Sequence, residues 1–381
     1  MKHISYPDVV RLREENLGRY EDGRSEEILA IVQGHPAHIE EASTITDCVR
    51  RGYAPPGYAL ADFTIIRTGG RFHLFHIPRV PGNISIHPSN EHWFGHATSH
   101  DLDTWVTGHP PLATEPANYF ESAHIWAPFV MEHQGVFHMF YTGLSGEPSQ
   151  VLCLATSTDP DLNVWHRHVG NPILPLEGFS WHRKNERGHL RQGRDPHVTR
   201  VGDHFLMAYT TMHADGCPAV GGLVSHDLKQ WQDIGPILYR PMRAGGWMPE
   251  SVLVQQLTCD RWVLIPSVGP GLEYYISDNP HSWHDAECLP IEYSDTGSGE
   301  EAIGPEVLCR NDEKGEWLVA FFQKGDNRLY LGILDVRGAW RLERIQSPSR
   351  LAPWLALIEE EVDGLHPTDQ QGVRNNPPLT H

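Results

Sequence analysis

Acidic residues recur at one register of a repeating pattern. Asp62 lies 10 residues before Phe72, and Asp195 lies 10 residues before Phe205. Ala127 stands at the same point, 10 residues before Phe137. Glu250 lies 12 residues before Trp262, and Glu306 lies 11 before Trp317, offsets that one loop insertion would absorb. If the register converges in space, Asp62, Asp195 and Glu250 form a cluster. Like charges held close cannot all ionise cheaply, so at least one pKa must rise. A raised carboxyl is a general acid near neutral pH, and an ionised one is a base or nucleophile. Cleavage of a glycosidic bond needs that division: one group protonates the leaving oxygen while another attacks the anomeric carbon. A lone acid at a strand end more often serves a turn. Three at one register favour chemistry.

The elements that carry them repeat five times. A phrase closing in tryptophan reads ATSHDLDTW (97–105), ATSTDPDLNVW (155–165), LVSHDLKQW (223–231), YISDNPHSW (275–283) and LGILDVRGAW (331–340). Upstream of each lies an apolar-aromatic run: RFHLFHI, VFHMFYT, HFLMAYT, RWVLIPS and EWLVAFF. A second run lies upstream again: DFTIIR, PFVMEH, DPHVTR, ESVLVQQ and PEVLCR. Turn signals such as TGG, HQG and VGD separate the two runs. Each unit thus holds at least three strands, with a fourth expected after the tryptophan. Five such units predict an all-β fold, a five-bladed β-propeller over 58–345. A β-sandwich is the other reading of so many short strands. The tryptophans read as packing between blades, and the Ser and Asp before them as acceptors for turn backbone. Residues 1–57 predict a helical N-terminal extension packing on the propeller, with Ser25 as an N-cap. Residues 346–381 predict one C-terminal helix and a frayed tail.

Composition narrows the function classes. The chain has 381 residues, with 30 Lys+Arg against 49 Asp+Glu, a net charge of −19. Such a surface repels phosphate backbones, so nucleic acid is not an expected partner. No stretch approaches 18 consecutive apolar residues, so no membrane partner is expected. The start MKHISYPDVV has no apolar core of signal-peptide type, and the six cysteines form no C-x-x-C pair. Both features predict a cytoplasmic chain with reduced thiols. The oligomeric state stays open.

Several segments resemble known families. HWFGHATSHDLDTW (92–105), GGRFHLFHI (69–77) and GRDPHV (193–198) resemble glycoside hydrolase family 32, the invertase and fructanase group. IWAPFV (125–130) resembles the second-blade phrase of glycoside hydrolase family 43. Both families share a five-bladed propeller and acids in the order Asp, Asp, Glu. The resemblance covers about residues 58–340, to a single-domain, divergent member. It implies Asp62 as nucleophile or base, Asp195 as transition-state stabiliser and Glu250 as general acid. It also implies that Arg194 holds sugar hydroxyls, although a salt bridge orienting Asp195 would use the same fork. The expected partner is a short oligosaccharide with a terminal fructofuranoside, arabinofuranoside or xyloside unit.

Other residues are candidates for substrate binding. Trp126, one before the aligned position, could stack its indole on a sugar ring. Trp93 and Trp247 could do the same, and His96 could reach the channel. His73 and His138 occupy matching repeat positions and read as architecture. Glu306 could bind sugar, serve structure, or help hold a calcium ion in the channel. No cofactor is required, and the histidines show no compact metal-ligand spacing. The basic stretch Arg183, Lys184, Arg187, Arg191 and Arg194 would suit phosphate, so a phosphorylase or transglycosylase is one alternative. A non-catalytic carbohydrate-binding propeller is another.

Overall fold

The computed structural model describes residues 42–79, 91–115, 117–145, 149–240, 248–269, 271–294 and 302–364. The expected Ser25 helix, Trp247 and the tail lie outside these residues. The first sheet contains β1 (Thr44–Ile45), β2 (Ala59–Thr68), β3 (Arg71–Arg79), β4 (Gly95–Ser99) and β5 (Trp105–Thr107), in the order β1-β5-β4-β3-β2. The short helix α1 (Cys48–Arg51) precedes β2. The second sheet runs β6 (His124–His133), β7 (Val136–Leu144), β8 (Gln150–Ser157), β9 (His166–Arg167). The third runs β10 (Gly193–Val201), β11 (His204–Met212), β12 (Pro218–Ser225), β13 (Gln232–Tyr239). The fourth runs β14 (Glu250–Gln256), β15 (Trp262–Val268), β16 (Gly271–Ser277), β17 (Leu289–Pro290). The fifth holds β18 (Glu292–Ser294), β19 (Ala302–Asn311), β20 (Glu316–Gln323), β21 (Arg328–Asp335) and β22 (Arg341–Arg344), in the order β18-β22-β21-β20-β19.

The first strand of each repeat touches the first strand of the next, from β2 through β6, β10, β14 and β19 back to β2. The sheets are therefore blades of a five-bladed β-propeller, as the repeat predicts. The predicted inner runs are those five strands, and a fourth strand begins at Trp105 in the first blade and follows the closing tryptophan in the other four.

The tryptophan phrase builds one turn repeatedly. Ser99 Oγ accepts from Leu102 N–H at 2.8 Å, and Ser225 Oγ from Leu228 N–H at 2.9 Å. Asp101 and Asp227 each accept from two further backbone N–H groups. Leu102, Leu162 and Leu228 adopt positive φ, between 55° and 62°. The indole N–H of Trp105, Trp165 and Trp283 then donates to the carbonyl three residues earlier. With that polar atom satisfied, the rings of Trp105, Trp165 and Trp283 are buried.

The ring closes between the first and fifth blades. Tyr53 N–H donates to Leu329 O at 2.8 Å and Leu329 N–H returns to Tyr53 O at 2.9 Å. Leu60 N–H donates to Asn327 O at 2.8 Å. The C-terminal helix α2 (Pro348–Gly364) contributes Leu351, Trp354 and Ile358 to one apolar cluster with Leu60 and Leu74 of the first blade and Leu318 and Leu331 of the fifth. Gly52 is obligatory at this seam. Its φ is +73°, and a Cβ there would lie 2.5 Å from the Tyr330 ring.

Candidate active site

Every inner strand bulges at the same level. Pairing shifts between Ala61 and Phe63, Trp126 and Phe129, Arg194 and His197, Glu250 and Leu253, and Ile303 and Glu306. Asp62, Ala127, Asp195, Ser251 and Gly304 head these bulges, and all five line the central channel. Ala127, Asp195 and Ser251 carry positive φ of 46°, 55° and 44°. Such strain in non-glycine residues concentrates where a side chain must be re-aimed.

The pairing corrects the counted alignment in two blades. Ser251, not Glu250, stands level with Asp62 and Asp195. Glu250 shares the level of Trp126 and Arg194 at the outer lip. The turn between β14 and β15 is one residue longer than its counterpart, which displaced the count. Glu306 lies one layer below the ring of bulges, level with Thr64, Phe129 and His197. An irregularity after Val307 and a longer turn before β20 account for that offset.

The three predicted acids nevertheless converge. Arg194 Nη2 donates to Glu250 Oε1 at 2.7 Å, and Arg194 Nε lies 3.5 Å from Asp195 Oδ2. Arg194 Nη1 also reaches Gln150 Oε1 at 3.3 Å. Ser251 joins the other two acids. Its Oγ donates to Asp62 Oδ1 at 2.9 Å, and its backbone N–H donates to Asp195 Oδ2 at 3.2 Å. Thr210 Oγ1 lies 3.2 Å from Asp195 Oδ2 and donates to Pro249 O at 2.8 Å. The Glu250 side chain is 52% exposed, whereas Asp195 is buried.

Burial sets the electrostatics. It pushes Asp195 up to about 7, against the pull of Arg194, and the charges of Asp62 and Glu250 add to the rise. Burial also raises Asp62, opposed by the Ser251 hydrogen bond and by Arg79. Arg79 in turn pairs with buried Glu91 at 2.6 Å. The site can therefore hold a proton among its carboxyls near neutral pH while presenting an ionised oxygen to a ligand.

Sequence reasoning missed Ser251, Arg79, Glu91 and a set of hydroxyls. Thr142 Oγ1 accepts from Asp195 N–H at 3.1 Å, and Ser267 Oγ accepts from Gly304 N–H at 2.8 Å. Thr142, Thr210 and Ser267 end the runs VFHMFYT, HFLMAYT and RWVLIPS. That repeated closing hydroxyl was a readable signal. Each satisfies a backbone group of the next blade near its bulge.

Other candidates are distributed differently. Trp126 is partly buried at the lip, its ring stacked 6.2 Å from His124. Trp93 is buried and meets Tyr58 edge-on at 6.5 Å, so its indole is packing. His96 does not reach the channel. It lies on β4, stacked 4.6 Å from Phe75 with Nε2 3.1 Å from His73 Nδ1, and burial lowers it to about 3. His73 and His138 are buried in the second strands, as architecture. Of the basic stretch, Lys184, Arg187 and Arg191 are exposed, and Arg194 is the buried member at the mouth.

Glu306 fits structure better than calcium. Its oxygens accept from Thr64 Oγ1 and, at 2.6 Å, from Ile65 N–H. Burial lifts it to about 8, against the Thr64 and Ile65 hydrogen bonds that favour the carboxylate. Calcium wants six to eight oxygen ligands, and this floor offers one carboxyl whose oxygens are both engaged. Among the described residues, no three His, Cys, Asp or Glu side chains form a metal cage.

Comparison with known proteins gives this geometry a family. Residues 55–287 match the model of the glycosyl hydrolases family 32 N-terminal domain. The chain belongs to this family. Among curated relatives, a sucrose:sucrose 1-fructosyltransferase of Festuca arundinacea is 32% identical over 153 residues, 38% of this chain and 20% of that protein. A probable sucrose-6-phosphate hydrolase of Psychromonas ingrahamii is 29% identical, over 42% of this chain and 27% of its own. The matched segments thus span a fifth to about a quarter of those relatives. Among solved structures, the inulosucrase of Halalkalicoccus jeotgali bound to kestose superposes with TM-score 0.58 at 16% identity, covering 82% of this chain and 94% of that one. A thermostable family-43 glycoside hydrolase gives TM-score 0.55 at 14% identity, over 76% and 95%. These structural likenesses establish the shared propeller fold.

Proposed function

We propose that this family 32 chain is a glycosidase acting on terminal fructofuranosides of short saccharides. The observation that carries the reading is the convergence of Asp62, Asp195 and Glu250 around Arg194 and Ser251. Asp62, hydrogen-bonded by Ser251 and favoured as the carboxylate by the charge of Arg79, attacks the anomeric carbon and forms a glycosyl-enzyme bond. Glu250 gives its proton to the leaving oxygen as the glycosidic bond breaks. A water molecule then adds to the anomeric carbon, returns a proton to Glu250 and frees the Asp62 carboxylate, so the configuration is retained. Asp195 and Arg194 orient the sugar, and the Asp195 carboxylate supports the positive charge developing at the ring. Glu250 suits the acid role because its side chain opens to the lip where a leaving group departs. Trp126, beside Ala127 at the same lip, is placed to stack on a sugar ring.

Transfer to a second saccharide hydroxyl would use the same first half, with sugar in place of water. The relatives named fructosyltransferase favour keeping it as a second reading.

The test is turnover of sucrose, short fructans and a panel of nitrophenyl glycosides by the full chain. Fructose release from sucrose or a fructan, abolished by Asp62→Asn, is the expected result. Turnover that persists unchanged in Asp62→Asn, or no activity on any fructoside, overturns it. Products formed at high sucrose separate hydrolysis from transfer.

A further inference from the structure

The hydroxyls that end the second strands of three blades share one register. Thr142 pairs with Trp126, Thr210 with Arg194 and Ser267 with Glu250, in each case opposite the residue before the bulge. The first and fifth blades carry Ile77 and Phe322 at that point. In the second blade Thr142 Oγ1 accepts the N–H of Asp195, which heads the next bulge, at 3.1 Å. In the fourth, Ser267 Oγ accepts the N–H of Gly304 at 2.8 Å. The repeat therefore expects Thr210 to accept from Ser251 N–H. Instead, Ser251 N–H donates to Asp195 Oδ2 at 3.2 Å.

The Asp195 carboxyl has taken the architectural place of the threonine, and Thr210 turns elsewhere. Its side chain is fully buried. Its hydroxyl donates to the carbonyl of buried Pro249 at 2.8 Å and lies 3.2 Å from Asp195 Oδ2. Pro249 and Ser251 flank Glu250 in the chain. The third blade thus grips the backbone on both sides of Glu250, through Thr210 before it and through Asp195 after it. Arg194, opposite Thr210 on the same rung, reaches the Glu250 carboxyl itself at 2.7 Å. The Glu250 side chain is half exposed, so the direction in which it presents that carboxyl depends on a fixed backbone.

We propose that Thr210 is a positioning residue for the general acid: its hydroxyl, set against Asp195, fixes the Pro249–Glu250 peptide and so aims the Glu250 carboxyl at the leaving oxygen. The proposal rests on the acid role given to Glu250 above. Thr210 is too deeply buried to meet the sugar and acts through Glu250. Its removal leaves the Pro249 carbonyl buried without this donor, and the peptide must shift to find another. A shift of about 1 Å in a reacting group can cost up to about 10²-fold in rate.

The experiment compares Thr210→Val, which keeps the shape and loses the hydroxyl, with Thr210→Ser, which keeps the hydroxyl, in the full chain. Thr210→Val should lower kcat/KM on sucrose by about 10- to 10²-fold. On a nitrophenyl fructoside, whose leaving group hardly needs the proton, it should lose much less. Thr210→Ser should retain most of the wild-type rate on both. Amide hydrogen exchange adds a readout that needs no turnover. Ser251 N–H should exchange about tenfold faster in Thr210→Val, the scale of one net hydrogen bond, while Leu264 in the core of the same blade keeps its wild-type rate. Thr210→Ala carries the same expectations should valine prevent folding. Equal losses on the two substrates, or wild-type exchange at Ser251 in Thr210→Val, overturn the proposal. A wild type inert on every fructoside overturns the glycosidase reading instead, and the exchange comparison then decides by itself whether Thr210 fixes the backbone at Glu250.

Discussion

Ser251 Oγ donates to Asp62 Oδ1 at 2.9 Å, so the fourth blade holds the first blade's acid across the channel. That hydrogen bond favours the ionised carboxylate and opposes the rise caused by burial. Removing it in Ser251→Ala lets the Asp62 pKa climb further. Attack needs the ionised form, so the acid limb of the kcat/KM profile should move to higher pH. Activity at neutral pH should fall about tenfold, as expected for one charge-assisted hydrogen bond of ~1.5–3 kcal/mol. A pH profile with an unmoved acid limb would show that Ser251 is only structural.

Glu250→Gln separates a proton donor from a passive neighbour of Arg194. Loss of a general acid should cost about 10²–10⁴-fold on sucrose, whose leaving oxygen needs the proton. A nitrophenyl leaving group needs it far less and should lose much less. Equal losses on both substrates would remove Glu250 from the acid role.

Arg194→Lys keeps the charge but loses the planar fork that spans Glu250 and Asp195. Asp195 feels Arg194 as the main force holding its pKa down. A lysine ammonium cannot reach both acids in one geometry. We expect kcat/KM to fall by about 10²-fold, the scale of a misplaced positioning group. Retention of most activity would show that the charge suffices.

Glu306→Gln tests the channel floor through stability. Glu306 has a folded pKa of about 8, against an ordinary value of 4.5. Between those values the folded chain holds a proton that the unfolded chain has released, so stability falls as pH rises through that window. The glutamine mimics the protonated acid and removes this slope. Melting curves at pH 5 and pH 8 should show the variant gaining on the wild type at the higher pH. A constant difference would mean that Glu306 is ionised throughout.

Much of the architecture was legible in particular phrases. The tryptophan turn announces itself because Ser, Asp and Trp are each needed for a separate hydrogen bond, and Ser99, Asp101 and Trp105 make all of them. Asp62 and Asp195 were legible because two-residue turns follow their strands. Glu250 and Glu306 were misaligned because longer turns and an irregular strand add residues that a count along the chain cannot assign. The level of Ser251 was invisible for the same reason. His96 and Trp93 were misjudged because a motif preserves residue type, whereas burial depends on what the next strand lays over it. Their surroundings, Phe75, His73 and Tyr58, come from other segments.

The seam between the first and fifth blades has a mechanical consequence. Among the described residues each blade is built from one continuous stretch of chain, and no strand threads from the last sheet into the first as a latch. Tyr53 and helix α2 clasp the two blades from outside the sheets, and Leu60 at the start of β2 adds a hydrogen bond to Asn327 of the fifth blade. Heat or force should therefore open the circle at this clasp before any blade frays, and a cross-link placed between residues 53 and 329 would act as a padlock on the whole ring.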